Sequence, residues 1–201
     1  MNRTCPNRKD GGFMKKTAAV CALVLALAIV FGDTSGGARE LLKKGESIPG
    51  FVIKDLNGKF FFLKEHVGAN AKYAHKALLF SFCQSTCKPC RKEVPELEKT
   101  MKKFETQGLA MFLVNVGEDE KTARGLAAEL KTSIPFLVDR YGVVFKLVGG
   151  TATPLTILVD GSGKVQYVRP GFSEEKAVEI GVELENTIAA VLGAGSGASS
   201  R

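Results

Sequence analysis

No tryptophan occurs in the chain, and histidine occurs only twice, at His66 and His75. There is no internal repeat, and no basic run is interleaved with aromatic residues. The net charge of +7 overstates the basicity of the part beyond residue 37. Residues 1–37 hold five Lys and Arg against two Asp, leaving +4 on a remainder whose Lys and Arg alternate with Glu and Asp. Nucleic-acid binding therefore has little support. The longest charge-free apolar stretch, "TAAVCALVLALAIVFG" at 17–32, falls short of the ~20 residues of a spanning helix. With 45% hydrophobic and 24% charged residues, wholesale disorder is excluded as well. Nor are the five cysteines spread as a disulfide scaffold would spread them. Cys5 and Cys21 lie near the N-terminus, and Cys83, Cys87 and Cys90 crowd into eight positions. That crowding points to a local site.

Met14-Lys15-Lys16 is a short cationic start ahead of the apolar run, the pattern of an export signal. Residues 1–13 precede it, which makes Met14 a candidate start beside Met1. The expected organisation is a leader over 1–37, acting as signal peptide or uncleaved anchor, a single domain over 38–192, and a Gly/Ser-rich tail over 193–201. The domain is expected in the periplasm or another extracytoplasmic space. Contact with a membrane is expected only through the N-terminal segment if it is retained.

Within the domain, "FVIKDLNGKFFFL" (51–63) reads as two strands around Asn57-Gly58, a type I′ hairpin signal. Both histidines fall in the Lys64–Lys76 stretch, expected as a basic surface loop. "ALLFSF" (77–82) is an unbroken apolar run of strand length, as in a central strand covered on both faces. Val94, Leu97, Met101 and Phe104 then recur at helical spacing. "LAMFLVNV" (109–116) predicts a second buried strand. Residues 119–131 predict a helix burying Ala123, Leu126, Ala127 and Leu130. "IPFLVD" and a short amphipathic piece (141–148) follow. "LTILV" (155–159) and "KVQYV" (164–168) flank Asp160-Gly161-Ser162-Gly163 as an antiparallel hairpin. A last helix, capped by Ser173, presents Ala177, Ile180, Leu184, Ile188 and Val191. Such an order predicts an α/β fold, one mixed sheet with helices on both faces. The cysteines stand at the carboxyl end of a buried strand, where reactive sites of open α/β sheets lie.

Two spacings overlap in "CQSTCKPC". In the C-x2-C reading, Cys87 begins the helix with Pro89 in the first turn. The helix dipole and Lys88 both favour a Cys87 thiolate, and Cys90 is within reach to resolve a mixed disulfide. Glu93, three residues further on, can exchange a proton with the resolving sulfur; it can also be a plain acidic residue in the first turn. Pro154 opens the strand before the final hairpin. In a cis bond it would present the Thr153 backbone to an extended substrate peptide; otherwise it is an ordinary strand-opening proline.

"LLFSFCQSTCKPCRKEVPELE", "VNVGE" and "TPLTILVDGSGKV" together resemble the TlpA/ResA-type thiol-disulfide oxidoreductases of the thioredoxin superfamily, over residues 45 to 192. The resemblance implies a thioredoxin-like fold with an extra N-terminal β-hairpin and no cofactor. It implies Cys87 as nucleophile, Cys90 as resolving thiol, Glu93 as active-site carboxylate and Pro154 as cis-proline. Ser81 stands where thioredoxins proper carry a buried Asp. Protein thiols and disulfides are the implied partners, with a membrane thiol-disulfide reductant as electron donor. Many relatives are reductants, some serving cytochrome c maturation. Two positions depart from the pattern: Thr86 and Cys83 stand where relatives carry tryptophan.

Cys83 thus has three readings: a small buried hydrophobe in the space of the missing ring, a third redox thiol, or a metal ligand. The C-x3-C-x2-C spacing matches radical-SAM clusters, but those enzymes are larger barrels and the chain lacks the length. Cys83 and Cys87 also resemble the copper pair of Sco-type chaperones, the alternative function. Those proteins add a late histidine, however, and both histidines here precede the cluster. A peroxiredoxin reading lacks its Thr, since position 84 is Gln. The expected function is exchange of a Cys87–Cys90 dithiol with protein disulfides, as a reductant.

Overall fold

The structure, a computed structural model, describes residues 39–73 and 75–194. The expected leader, and residues 195–201 of the expected tail, lie outside the described residues. Among the described residues, no helix is long and apolar enough to cross a membrane.

Among the described residues, seven strands form one sheet: β1 (Val52–Asp55), β2 (Phe60–Phe62), β3 (Ala77–Cys83), β4 (Leu109–Val116), β5 (Phe136–Asp139), β6 (Leu155–Asp160) and β7 (Val165–Pro170). Their order is β2-β1-β5-β4-β3-β6-β7. β3, β4 and β5 run parallel, while β6 is antiparallel to β3 and β7 to β6. β1 is antiparallel to both β5 and β2. Among the described residues, four α-helices accompany the sheet: α1 (Lys88–Phe104), α2 (Glu120–Leu130), α3 (Val143–Leu147) and α4 (Ala177–Ala194).

Every residue of β3 is buried, and its period of two divides the core. Ala77, Leu79 and Cys83 face a cluster shared with Val94 and Leu97 of α1, Leu126 of α2 and Leu184 and Ile188 of α4. Leu78, Phe80 and Phe82 face a second cluster with Phe51, Phe61 and α3 residues Val144 and Phe145. An unbroken apolar run is what a strand needs when both of its faces are covered.

Both hairpins close on the same D-x-x-G-K device. Asp55 and Asp160 each accept, through Oδ1, the backbone N–H groups two and four residues on, at 2.8 and 2.9 Å for Asp55 and 2.9 and 3.1 Å for Asp160. Gly58 (φ +78°) and Gly163 (φ +85°) take the left-handed conformation and donate to the same aspartates' carbonyls. This corrects the type I′ expectation, which needs positive φ at both central residues. Among the described non-glycine residues only Lys131 has it, so Asn57 does not. The aspartate side chain supplies the turn bonds instead.

Two further expectations are corrected. Ser173 precedes a 3-10 turn at Glu174–Lys176 and makes no side-chain capping bond, and α4 starts only at Ala177. His66 and His75 are not plain surface residues. Their rings stack 5.3 Å apart, and His66 also stacks on Phe61 at 4.3 Å and Tyr73 at 4.6 Å. Burial pushes the His66 imidazole down to about 4, with a contribution from His75.

Candidate functional site

β3 ends at Cys83, and four residues later Cys87 is the N-cap of α1. Its sulfur accepts the Cys90 backbone N–H at 3.2 Å, satisfying one of the donors that a helix start leaves open. Pro89 stands in the first turn, where no N–H is missed. Cys87 and Cys90 are joined as a disulfide, their Cα atoms 5.3 Å apart. Lys88 beside them is exposed.

The connecting loop is held from below. Ser85 donates its backbone N–H and hydroxyl to Glu118 at 2.9 and 2.5 Å, and Asn115 Nδ2 donates to the same carboxylate at 2.7 Å. Gln84 Nε2 reaches the Val116 carbonyl at 3.3 Å, and Gln84 Oε1 accepts from the Thr153 hydroxyl at 3.3 Å. The Thr153–Pro154 peptide bond is cis. The cis-proline segment and the cysteine loop are therefore in direct contact. Pro154's carbonyl is already engaged, accepting from Gly171 N–H at 2.7 Å.

One helical turn beneath Cys90, the Glu93 side chain is 1% exposed. Its Oε2 accepts from Ser81 Oγ at 3.0 Å, and its Oε1 accepts from Thr156 Oγ1 at 2.7 Å. Arg169 of β7 also donates to Oε1, as an ion pair. A buried carboxylate is retained only when it is paired and hydrogen-bonded, and this one has a partner from each of β3, β6 and β7. The plain reading of Glu93 as an acid of the first helical turn does not match α1, which begins at Lys88 and has no acidic residue in its first turn.

Cys83 is a free, 1% exposed thiol in the same apolar cluster as Cys87 and Cys90. Burial pushes it up to about 12, and the charges of Glu93 and Glu118 add to the shift. A buried thiol that resists ionisation is a poor nucleophile, which sets Cys83 apart from the bonded Cys87 and Cys90. The histidines stack beside β2 with Phe61 and Tyr73, packed apart from the cysteines. No group of three or more His, Cys, Asp or Glu side chains placed to hold a metal ion occurs among the described residues.

Cys87, Cys90, Glu93, Thr153 and Pro154 meet at one end of the sheet. Sequence reasoning missed Arg169, Thr156, Asn115 and Glu118. A signal for Arg169 was available: it lies two residues after buried Tyr167 on a strand, hence on the same face. Asn115 was likewise a lone amide in an apolar strand.

The Redoxin family profile matches residues 43–183. Thiol-disulfide oxidoreductase ResA of Halalkalibacterium halodurans is 28% identical over 172 residues, covering 86% of this chain and 94% of that protein. ResA of Bacillus subtilis is 27% identical over 163 residues, covering 81% and 87%. Among solved structures, a putative thiol:disulfide interchange protein DsbE from Chlorobium tepidum superposes with TM-score 0.65 at 25% identity, covering 75% of this chain and 99% of that one. A putative protein disulfide isomerase from Bacteroides thetaiotaomicron, with TM-score 0.63 at 22% identity and coverage of 75% and 95%, shares the fold. Family profile, relatives and fold agree with the placement of the dithiol: the chain belongs to the redoxin family, as a TlpA/ResA-like thiol-disulfide oxidoreductase of the thioredoxin superfamily.

Proposed function

We propose that the protein works outside the cytoplasm as a reductant of protein disulfides, with Cys87 as nucleophile and Cys90 as resolving thiol. The observation that carries this reading is the Cys87–Cys90 pair at the start of α1, with an ion-paired buried carboxylate one turn beneath it. In the reduced protein the Cys87 thiolate, favoured by the helix N-terminus, attacks one sulfur of a substrate disulfide. The Cys87–substrate bond forms, the substrate S–S bond breaks, and the departing thiolate takes up a proton. Cys90 then gives up its proton, its ionisation set by the Glu93 carboxylate one turn beneath it, and attacks Cys87 Sγ. The second substrate thiol leaves, and the Cys87–Cys90 disulfide is formed. Two electrons and two protons have passed to the substrate. A membrane thiol-disulfide reductant returns them by the reverse exchange.

In this reading the substrate is an extended segment that pairs with the backbone at Thr153, beside cis Pro154. A disulfide of apocytochrome c, reduced to its two thiols as in cytochrome c maturation, is one substrate of this kind. The N-terminal apolar run 17–32 serves as signal or anchor.

Cys90→Ser tests the mechanism. Without the resolving thiol, disulfide-linked adducts should accumulate through Cys87, visible on non-reducing gels and released by dithiothreitol. The Cys87→Ser/Cys90→Ser double variant should show none. A Cys90→Ser protein, folded and exported, that traps no partner would contradict the reading.

A further inference from the structure

Resolution of a mixed disulfide requires Cys90 to become a thiolate one turn from an already buried carboxylate. The two negative charges oppose each other. Glu93's charge is felt on this side of the core, since it contributes to holding Cys83 protonated. Arg169 is the group that answers it. Its Nη2 donates to Glu93 Oε1 and lies 3.3 Å from the Thr156 hydroxyl, and its Nη1 donates to the Gly171 carbonyl. The guanidinium also lies 5.6 Å over the Phe172 ring. Arg169 pairs with Thr156 across the β6–β7 ladder, next to the Leu155–Pro170 pair. It thus sits between the cis-proline segment and the buried carboxylate, with its side chain only 12% exposed.

We propose that Arg169 is a positioning residue for the exchange reaction: it neutralises and orients Glu93, so that Cys90 can ionise beneath a substrate-bound Cys87. The proposal rests on the reading of Glu93 as the carboxylate coupled to Cys90. Around this pair stand Ser81 and Cys83 from β3, Thr156 from β6, and Tyr167 and Arg169 from β7, with Glu118 after β4 acting on Cys83 and Glu183 of α4 acting on Tyr167. On α1 itself, Arg91 donates to the Cys87 carbonyl at 3.4 Å, but its guanidinium is paired with Glu129. Arg169 is the cation bonded to Glu93.

The test is the pH profile of Cys90 alkylation in the reduced protein, followed by peptide-resolved mass spectrometry. Arg169→Met should move the profile up by about one pH unit, a roughly tenfold slower reaction near neutrality. Arg169→Lys, which keeps the charge, should restore most of it. Glu93→Gln should move the profile down. Glu93→Gln/Arg169→Met, which removes both charges, should return it close to the parent. A folded Arg169→Met protein with the parent profile would overturn the proposal. So would a double variant as displaced as Arg169→Met alone. If Arg169→Met fails to fold, the step from Glu93→Gln to the double variant still reads the charge, because neither protein leaves a carboxylate unpaired. No upward shift in that step overturns the proposal too. An unchanged profile in Glu93→Gln would instead remove the underlying reading of Glu93, a result distinct from failure at Arg169.

Discussion

At the scale of single residues, three sulfurs within eight positions are separated by environment. Cys87 sits at a helix start and Cys90 is bonded to it, while Cys83 is enclosed with its ionisation pushed up to about 12. Native reduced protein should therefore lose Cys87 first to iodoacetamide at neutral pH, with Cys83 labelled only after denaturation. Peptide mass analysis at several times checks this, and early labelling of Cys83 would contradict its enclosure. Cys83→Ala should keep the Cys87–Cys90 exchange. Spacing made Cys87 and Cys90 legible as a pair, whereas it left Glu93 between two readings and only the family resemblance implied its role. Arg169 was not legible as a partner of Glu93, since the two are 76 residues apart and meet only once β7 is placed in the sheet.

Among the elements, β3 positions the site, and its central Phe80 is packed against Phe51, Phe61 and Phe112. Phe80→Ala should cost about 3–5 kcal/mol, read as a lowered urea midpoint; a loss under about 1 kcal/mol would mean that this face of the sheet repacks freely. The hairpin turns offer a second check. Asp160 holds two backbone N–H groups, the Ser162 hydroxyl at 2.6 Å and Gln166 at 2.7 Å. Asp160→Ala should destabilise by about 1.5–3 kcal/mol, the range for hydrogen bonds to charged groups, read as a lowered urea midpoint. Strand positions were legible because buried strands read as unbroken apolar runs; β4 matches its expected range of 109–116. Turn geometry was not. A Gly after Asn suggested type I′, whereas the preceding aspartate decides the conformation. The start of α4 was misplaced because a 3-10 turn at Glu174–Lys176 comes first, and the Ser173 hydroxyl makes no capping bond.

For the molecule as a whole, stability should depend on pH through the stacked histidines. Above pH 6.5 His66 is neutral whether folded or unfolded, and it adds no pH dependence. As pH falls, the unfolded chain takes up a proton near 6.5, while the folded protein resists until about 4. Stability is therefore lost across that window, with His75, also lowered by burial, acting in the same direction. The urea midpoint should fall between pH 7 and pH 4, and less steeply in His66→Phe; an identical slope in that variant would show the stack is not responsible. The Cys87–Cys90 dithiol is tested by counting thiols, through alkylation and mass, on the purified protein across graded dithiol/disulfide buffers, with copper assayed on the same sample. The account predicts that Cys87 and Cys90 change together as a two-electron couple, tenfold per ~30 mV, while Cys83 stays reduced and copper is absent. Copper near one equivalent, lost on replacing Cys83, would contradict it and assign the protein to metal delivery.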